Sequence, residues 1–436
     1  MNIPAVKTPP EPGVAQLHGF AYDKNELKVE SLTLHSVAER FGTPLYVYSK
    51  RAIVDHCRHI EGAFGGHPHL TCYAVKANSN RGLLKIVARE GFGADVGSKG
   101  ELYLALAAGF PPGKISFSGV GKRDDEMEYA LEKGIAAFNV ESAEEVEVLN
   151  EIAGRMGKRG RILLRVNLNI DAGGHAYVST SLKENKFGIG SEKAVGVLQW
   201  AQGLPHIEIG GVHSHIGSQI VRAETFLAAA RSLVNLVGAA RAAGVVVEDL
   251  DFGGGYGVQY HGFIEHPALP DDPPEVENLS TASLIASALP ILKEAGCRLS
   301  IQPGRSITAQ AGVLVCKVLY RKEADAKTFV VVDGGMNDLL RPSLYHAYHQ
   351  IVPLTVGGSP HETVDVVGPL CESGDFFAID RTLPRLKRGD FVALMCAGAY
   401  GYVLSSNYNA RPRPAEVLVD CENCVVIRER ETIEEL

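Results

Sequence analysis

Apolar positions in this chain fall into short unbroken runs separated by stretches in which they recur every third or fourth residue. Those are the patterns of a buried strand and an amphipathic helix. Runs of the first kind lie at 71–77, 92–96, 115–119, 137–140, 161–168, 207–216, 250–253 and 298–302. Helical periodicity fills the gaps: 82–90, with Leu83, Leu84, Ile86 and Val87 on one side, and the longer 222–243 and 281–295. Ser98 with Glu101 and Ser142 with Glu145 have capping-box spacing, in which the serine and glutamate side chains satisfy orphan amides reciprocally. Eight strands alternating with helices, each connection long enough for a crossover, predict a parallel (β/α)₈ TIM-like barrel, with a doubly wound sheet as the alternative.

Beyond Arg305 the texture changes to β-rich runs at 312–320, 328–332, 363–367, 391–396, 415–419 and 424–428, parted by glycine, proline and charge. A second, mostly antiparallel β-domain is expected there. Upstream, 33–47 reads as a short helix (Leu34, Val37, Ala38, Phe41) leading through Gly42-Thr43-Pro44 to Leu45-Tyr46-Val47, an approach to the barrel. The expected division is an N-terminal segment, 1–42, joining the β-domain, a barrel at 43–305, and a C-terminal β-domain at 306–436. Asp271-Asp272-Pro273-Pro274 reads as an exposed loop between barrel elements.

Composition narrows the function. A chain of 436 residues exceeds one ordinary core, and 45% hydrophobic with 22% charged residues is the balance of a soluble globular protein. A net charge of -8 argues against nucleic-acid or anionic-membrane partners. No apolar run approaches bilayer length and 1–16 lacks a signal-peptide pattern, so a cytoplasmic location is expected. The eight cysteines are scattered, as reduced thiols would be. Cys421 and Cys424 form one CxxC without a second pair or a nearby histidine, so packed thiols are expected there and no metal site.

In a barrel, chemistry collects at the C-terminal ends of the strands. Lys76, Asp95, His215, the turn Gly253-Gly254-Gly255 and Arg305 all fall at or just past an expected strand end. A lysine ending an apolar strand either snorkels out or serves as an amine for Schiff-base chemistry with an aldehyde cofactor. The glycine turn, followed by Tyr256-Gly257, offers backbone amides to a phosphate, and Gln302-Pro303-Gly304-Arg305 adds a second glycine-bearing loop with a guanidinium. His213 and His215 share a strand face, suited to a metal pair or to stacking on a flat cofactor; stacking is favoured because Asp95 is the only further carboxylate at that rim. In the second domain Cys371-Glu372 sets a thiol, able to deliver a proton, beside a carboxylate, able to hold an ammonium. Arg341 and Tyr345 supply a guanidinium and a phenol suited to clamping a carboxylate, and Tyr400 sits in a glycine-rich bend.

In this order, the segments resemble the fold-type III pyridoxal-phosphate decarboxylases over nearly the whole chain. The matching runs are His18-Gly19-Phe20, Thr43-Pro44-Leu45-Tyr46-Val47-Tyr48, Tyr73 through Asn78, Lys183-Glu184-Asn185-Lys186-Phe187-Gly188, Cys371-Glu372-Ser373-Gly374-Asp375 and Ser406-Asn407-Tyr408-Asn409. The run beginning at Arg341, the cysteine loop and Asn407-Tyr408-Asn409 favour the diaminopimelate branch of that family. The resemblance implies decarboxylation of meso-diaminopimelate to L-lysine and carbon dioxide with pyridoxal 5'-phosphate, as the last step of lysine biosynthesis. It implies that Lys76 binds the cofactor covalently, that His215 stacks on its ring, and that Ser218, Gly253, Gly254, Gly255, Gly304 and Arg305 surround its phosphate, with Asp95, Gln302 and Tyr400 nearby. Arg305, Arg341, Tyr345 and Tyr400 would bind substrate, with Glu372 on its distal ammonium and Cys371 protonating the product. In this family the cysteine loop enters from a partner subunit, which implies a homodimer.

One position departs from the pattern. The family places glutamate where this chain has Gln302, and a glutamine carries no charge to hold a proton on the pyridine nitrogen. Gln302 motivates the alternative of a catalytically silent homologue; a related decarboxylase of another diamino or carrier-bound amino acid is the alternative among enzymes.

Overall fold

The computed structural model describes residues 19–170, 186–265 and 279–436. The expectations concerning 1–16, His18, Lys183-Glu184-Asn185 and the 271–274 loop lie outside the described residues.

Eight parallel strands follow one another in the order of the chain: β1 (His69–Ala74), β2 (Gly93–Val96), β3 (Ile115–Phe117), β4 (Ala137–Val140), β5 (Gly160–Asn167), β6 (Ile207–His213), β7 (Asp249–Asp251) and β8 (Arg298–Ile301). Each pairs with its sequence neighbours, and β8 pairs back onto β1 with Leu299 opposite His69. The sheet therefore closes into a barrel, and the doubly wound alternative falls. Helices at Arg81–Arg89, Lys99–Ala108, Asp124–Lys133, Ala143–Arg155, Ser191–Gln202, Ala223–Ala242 and Thr281–Lys293 lie between the strands and bury their apolar stripes against them.

The two serine caps form with a shift. Ser98 accepts from the Glu101 amide (3.2 Å) and Ser142 from the Glu145 amide (3.1 Å). The returning glutamates, however, accept from the amides of Gly97 and Glu141, one residue before each cap. Both caps are extended, with ψ near 160°, which leaves the preceding amide as the one within reach.

The β-domain is a nine-stranded sheet whose main path runs Phe376–Pro384, His361–Val367, Thr328–Val332, Gly312–Glu323, Leu45–Ser49, Ala415–Asp420, Asn423–Arg428. Leu45–Ser49 corrects the expected boundary at 43. This strand belongs to the second sheet, antiparallel to Gly312–Glu323 and parallel to Ala415–Asp420, and the barrel side begins with the helix Lys50–Gly62. All five of its residues are buried, which a position in mid-sheet explains and an approach segment does not. The strands Ile351–Pro353 and Phe376–Pro384 were not expected. The second carries Asp380, Arg381 and Thr382 on its more open stretch, which masks its apolar pattern. The N-terminal three-stranded sheet (Phe20–Asp23, Glu26–Val29, Leu32–Thr33) packs on this domain, where the Leu27 amide donates to the Leu354 carbonyl (2.8 Å). Among the described residues no helix is long and apolar enough to cross a membrane.

Candidate active site

A cavity at the C-terminal rim of the barrel, closed over by the β-domain, is lined by Ala74, Lys76, Asp95, His215, Ser218, Gly255, Tyr256, Gln302, Gly304, Arg305, Arg341, Tyr345 and Tyr400. The barrel residues sit at or within a few positions of the ends of β1, β2, β6, β7 and β8, and the last three come from the second domain.

Lys76 lies in the 3-10 turn Val75–Ala77 that follows β1, not on the strand itself. The turn is tied to the β-domain: Tyr400 donates its amide to the Ala77 carbonyl (2.8 Å), and the Asn78 side chain donates to the Gly398 carbonyl (3.0 Å). The Lys76 side chain is exposed in the cavity, because the turn swings it clear of the buried strand. Asp95 is buried among the hydroxyls of Ser118 and Ser116. Burial raises its carboxyl above the usual range, while the charge of Lys76 works in the opposite direction.

His215 offers a flat, uncharged ring. Its Nδ1 accepts from the Gly254 amide (3.3 Å), and burial, helped by the charges of Lys76 and Arg165, holds its pKa well below 6.5. His213 points elsewhere, into the barrel, where its Nε2 meets Gln302 Oε1 at 3.1 Å. The Gln302 amide also donates to Asp251 Oδ2 at 2.9 Å, and Asp251 Oδ1 accepts from the Gly253 amide at 2.8 Å. The Gln302 side chain gives its Nε2 to Asp251 and turns its Oε1, which can only accept, to His213, so the proton of that imidazole sits on Nε2. Burial pushes the Asp251 carboxyl up to about 7. The glycine turn is thus partly committed to internal bonds: the amides of Gly253 and Gly254 are taken, and of the three glycines only Gly255 lines the cavity.

The cation side of the cavity carries the clearest physical demand. Arg305 and Arg341 are 8% and 6% exposed, and among the described residues neither pairs with a carboxylate. Arg305 donates to the hydroxyls of Tyr260 (2.7 Å) and Ser218 (2.8 Å), its Nε has no partner among the described residues, and its guanidinium lies 4.8 Å from the Tyr400 ring centroid. Arg341 donates to His349 Nε2 (2.7 Å) and stacks 4.5 Å from the Tyr260 ring. Two buried guanidiniums without a counter-ion make an anion site, since such charges are costly unless an anion offsets them. With Ser218, Gly255 and Gly304 beside Arg305 and an exposed lysine amine across the cavity, these residues fit an aldehyde cofactor that carries a phosphate, and Arg341 remains for a second anion. Tyr400 is held at φ 55°, a strained conformation for a side chain of its size, in the bend that closes the cavity.

Cys371 and Glu372 are not brought to this cavity: both are exposed in the turn after His361–Val367. Asp375 pins that turn by accepting from the amides of Leu370 (2.7 Å) and Met336 (2.6 Å). Asp251, Tyr260, Arg165 and His349 were not singled out from the sequence. Tyr260 alone had a local signal, its place a few residues after the glycine turn.

Residues 50–309 match the family described as pyridoxal-dependent decarboxylase, pyridoxal binding domain. The chain is 47% identical over 417 residues to diaminopimelate decarboxylase of Pseudomonas aeruginosa, covering 96% of this chain and 97% of that protein. It is 42% identical over 410 residues to that of Aquifex aeolicus, covering 94% of each. The crystal structure of the Helicobacter pylori diaminopimelate decarboxylase complexed with L-lysine superposes with a TM-score of 0.85 at 40% identity, over 92% of this chain and 98% of that one. A barrel of this topology, a cavity with a free lysine amine beside two unpaired guanidiniums, and identity at this level along nearly the full length lead to one assignment: the chain belongs to the pyridoxal-phosphate-dependent decarboxylase family, in its diaminopimelate decarboxylase branch.

Proposed function

We propose that this protein decarboxylates meso-diaminopimelate to L-lysine and carbon dioxide, using pyridoxal 5'-phosphate. The observation that carries the reading is the pair of buried, uncompensated guanidiniums in the cavity that holds Lys76. Bound there, the cofactor supplies the electron sink for the carbon–carbon bond that breaks.

The chain's residues divide the remaining work. Lys76 is the amine that would hold the cofactor through its aldehyde. Arg305, Ser218, Gly255 and Gly304 would hold its phosphate, with Gly253 and Gly254 shaping the turn behind them. His215 presents its uncharged ring, and Asp95 and Gln302 complete the wall. Arg341, with Tyr345 and Tyr400, orients the distal carboxylate, the group that separates this substrate from simple diamines. The site residues come from both domains, and the turn that bears Lys76 is hydrogen-bonded to the bend that bears Tyr400.

Cys371 delivers the proton that replaces carbon dioxide, and Glu372 holds the distal ammonium, each acting in the cavity of a second copy. Their exposure on a pinned turn, outside their own cavity, supports a homodimer with shared sites; in this reading the dimer acts in the cytoplasm on a small-molecule substrate.

The test is carbon dioxide release by the purified protein with added pyridoxal phosphate, offered meso-diaminopimelate beside ornithine, lysine and arginine. Release from meso-diaminopimelate alone is the expected result. Release from a substrate without a distal carboxylate overturns the role of Arg341, and no release from any of them overturns the function.

A further inference from the structure

An arginine can clamp a substrate carboxylate only if its long side chain is held in place, and the usual device, a carboxylate partner, would neutralise the charge the substrate needs. Arg341 is held differently. Its Nη1 donates to His349 Nε2 at 2.7 Å, and His349 Nδ1 lies 2.8 Å from the Met395 carbonyl oxygen. A carbonyl only accepts, so the imidazole proton is on Nδ1 and Nε2 presents a lone pair to the guanidinium.

The imidazole is itself fixed on every side. It is fully buried and meets the Tyr260 ring edge-on, with centroids 5.4 Å apart. Tyr260 in turn lies under the Arg341 guanidinium and accepts from Arg305. The His349 carbonyl accepts from Arg381 (3.0 Å). The next residue, Gln350, grips the barrel loop through both the amide and the carbonyl of Ile264 (2.9 Å each) and accepts from the Met395 amide (2.8 Å). His349 therefore stands on a segment anchored to both domains.

We propose that His349 is a positioning residue for substrate recognition: its neutral Nε2 aims Arg341 at the distal carboxylate of the substrate without spending the positive charge of the guanidinium. The proposal rests on the reading of Arg341 as the holder of that carboxylate. An aspartate or glutamate at 349 would hold Arg341 as firmly but would form an ion pair that competes with the substrate.

The experiment uses the full chain loaded with pyridoxal phosphate, comparing the parent with His349→Leu, His349→Gln and Arg341→Met. Steady-state decarboxylation of meso-diaminopimelate is measured together with calorimetric binding of L-lysine, which keeps a carboxylate, and of 1,5-diaminopentane, which has none. For His349→Leu the expected result is a rise in KM of about tenfold, with kcat within about twofold, the scale of one lost hydrogen bond to a charged group. Lysine affinity should fall in parallel while diamine affinity stays, and His349→Gln, which keeps an acceptor, should recover most of both losses. Should the leucine variant not fold, His349→Phe carries the same comparison with glutamine. An unchanged KM in a folded acceptor-free variant overturns the proposal, as does a glutamine variant no better than leucine or a loss confined to kcat. If Arg341→Met leaves KM unchanged, it is the carboxylate-holding role of Arg341 that fails.

Discussion

At the residue scale, the departure at Gln302 acquires a physical context. Its amide bridges Asp251 and His213, so a buried carboxyl stands one hydrogen bond behind the position where the family resemblance calls for a charge. In a Gln302→Glu variant the new carboxyl would face Asp251 across that short gap, and two such carboxyls share one proton. Asp251, already raised to about 7, is the one to keep it, which leaves the charge on the introduced side chain. The variant should therefore turn over faster, by about tenfold if one unit of protonation bias is restored at the ring nitrogen. Stopped-flow or steady-state kcat decides this, and equal or slower turnover refutes it. The same Asp251 carboxyl leaves a mark on stability. Its folded pKa lies above its unfolded value near 3.8, so its contribution is full below 3.8 and is lost as pH rises through about 7. Replacing Asp251 by Asn should then shift stability relative to the parent progressively in the variant's favour between those limits and level off above them. Denaturant melts over a pH series show the slope, and a difference that does not change with pH contradicts it. That Lys76, Asp95, His215 and Arg305 share one rim was legible because barrel geometry tells strand ends from strand middles. Asp251 and His349 were not: their roles follow from contacts 51 and 8 residues away, which no local pattern encodes.

At the scale of elements, the glycine turn after β7 does more than leave room for a ligand. Gly253 accepts from the Gln302 amide (2.7 Å) and Gly255 from the Ile220 amide (2.9 Å), so the turn stitches three strand ends together. A Cβ on Gly254 would stand 2.3 Å from the Gln302 carbonyl oxygen and 3.5 Å from the His215 ring. Because the obstacle is backbone, Gly254→Ala should displace the Gln302 loop, the His215 ring being in ordinary contact, at a cost of about 1–3 kcal/mol. Lower melting temperature and weaker pyridoxal-phosphate binding, followed by cofactor absorbance, are the expected signs; a variant that melts and binds like the parent argues that the two loops move freely. Strands and helices of the barrel were readable from apolar period because each is buried on a predictable face. Leu45-Tyr46-Val47 was readable as an apolar run but not as part of a strand, Leu45–Ser49, of the second sheet. An unbroken apolar run looks the same in either core, and only its pairing with Gly312–Glu323 and Ala415–Asp420 tells them apart.

For the whole molecule, a single chain holds Lys76, Arg305 and Arg341 around one cavity while Cys371 and Glu372 sit outside it, exposed, on a turn made rigid by Asp375. If each cavity is completed by the cysteine turn of a second copy, two defects on different chains can complement one another. Lys76→Ala removes the amine from its own cavity, and Cys371→Ala removes the proton donor from the cavity opposite. Each variant alone should be nearly inactive. In a mixed dimer both defects fall in the same site, because the alanine at 76 of one chain faces the alanine at 371 of the other, and the second site keeps Lys76 from one chain and Cys371 from its partner. Random reassortment makes half the dimers mixed, each with one intact site of two, so mixing the inactive variants under conditions that exchange subunits should restore about a quarter of the parental activity. Carbon dioxide release before and after exchange, with the dimer followed by sedimentation, gives the answer. Activity that stays at the level of the separate variants, although mixed dimers have formed, would place Cys371 in the site of its own chain or outside the chemistry altogether.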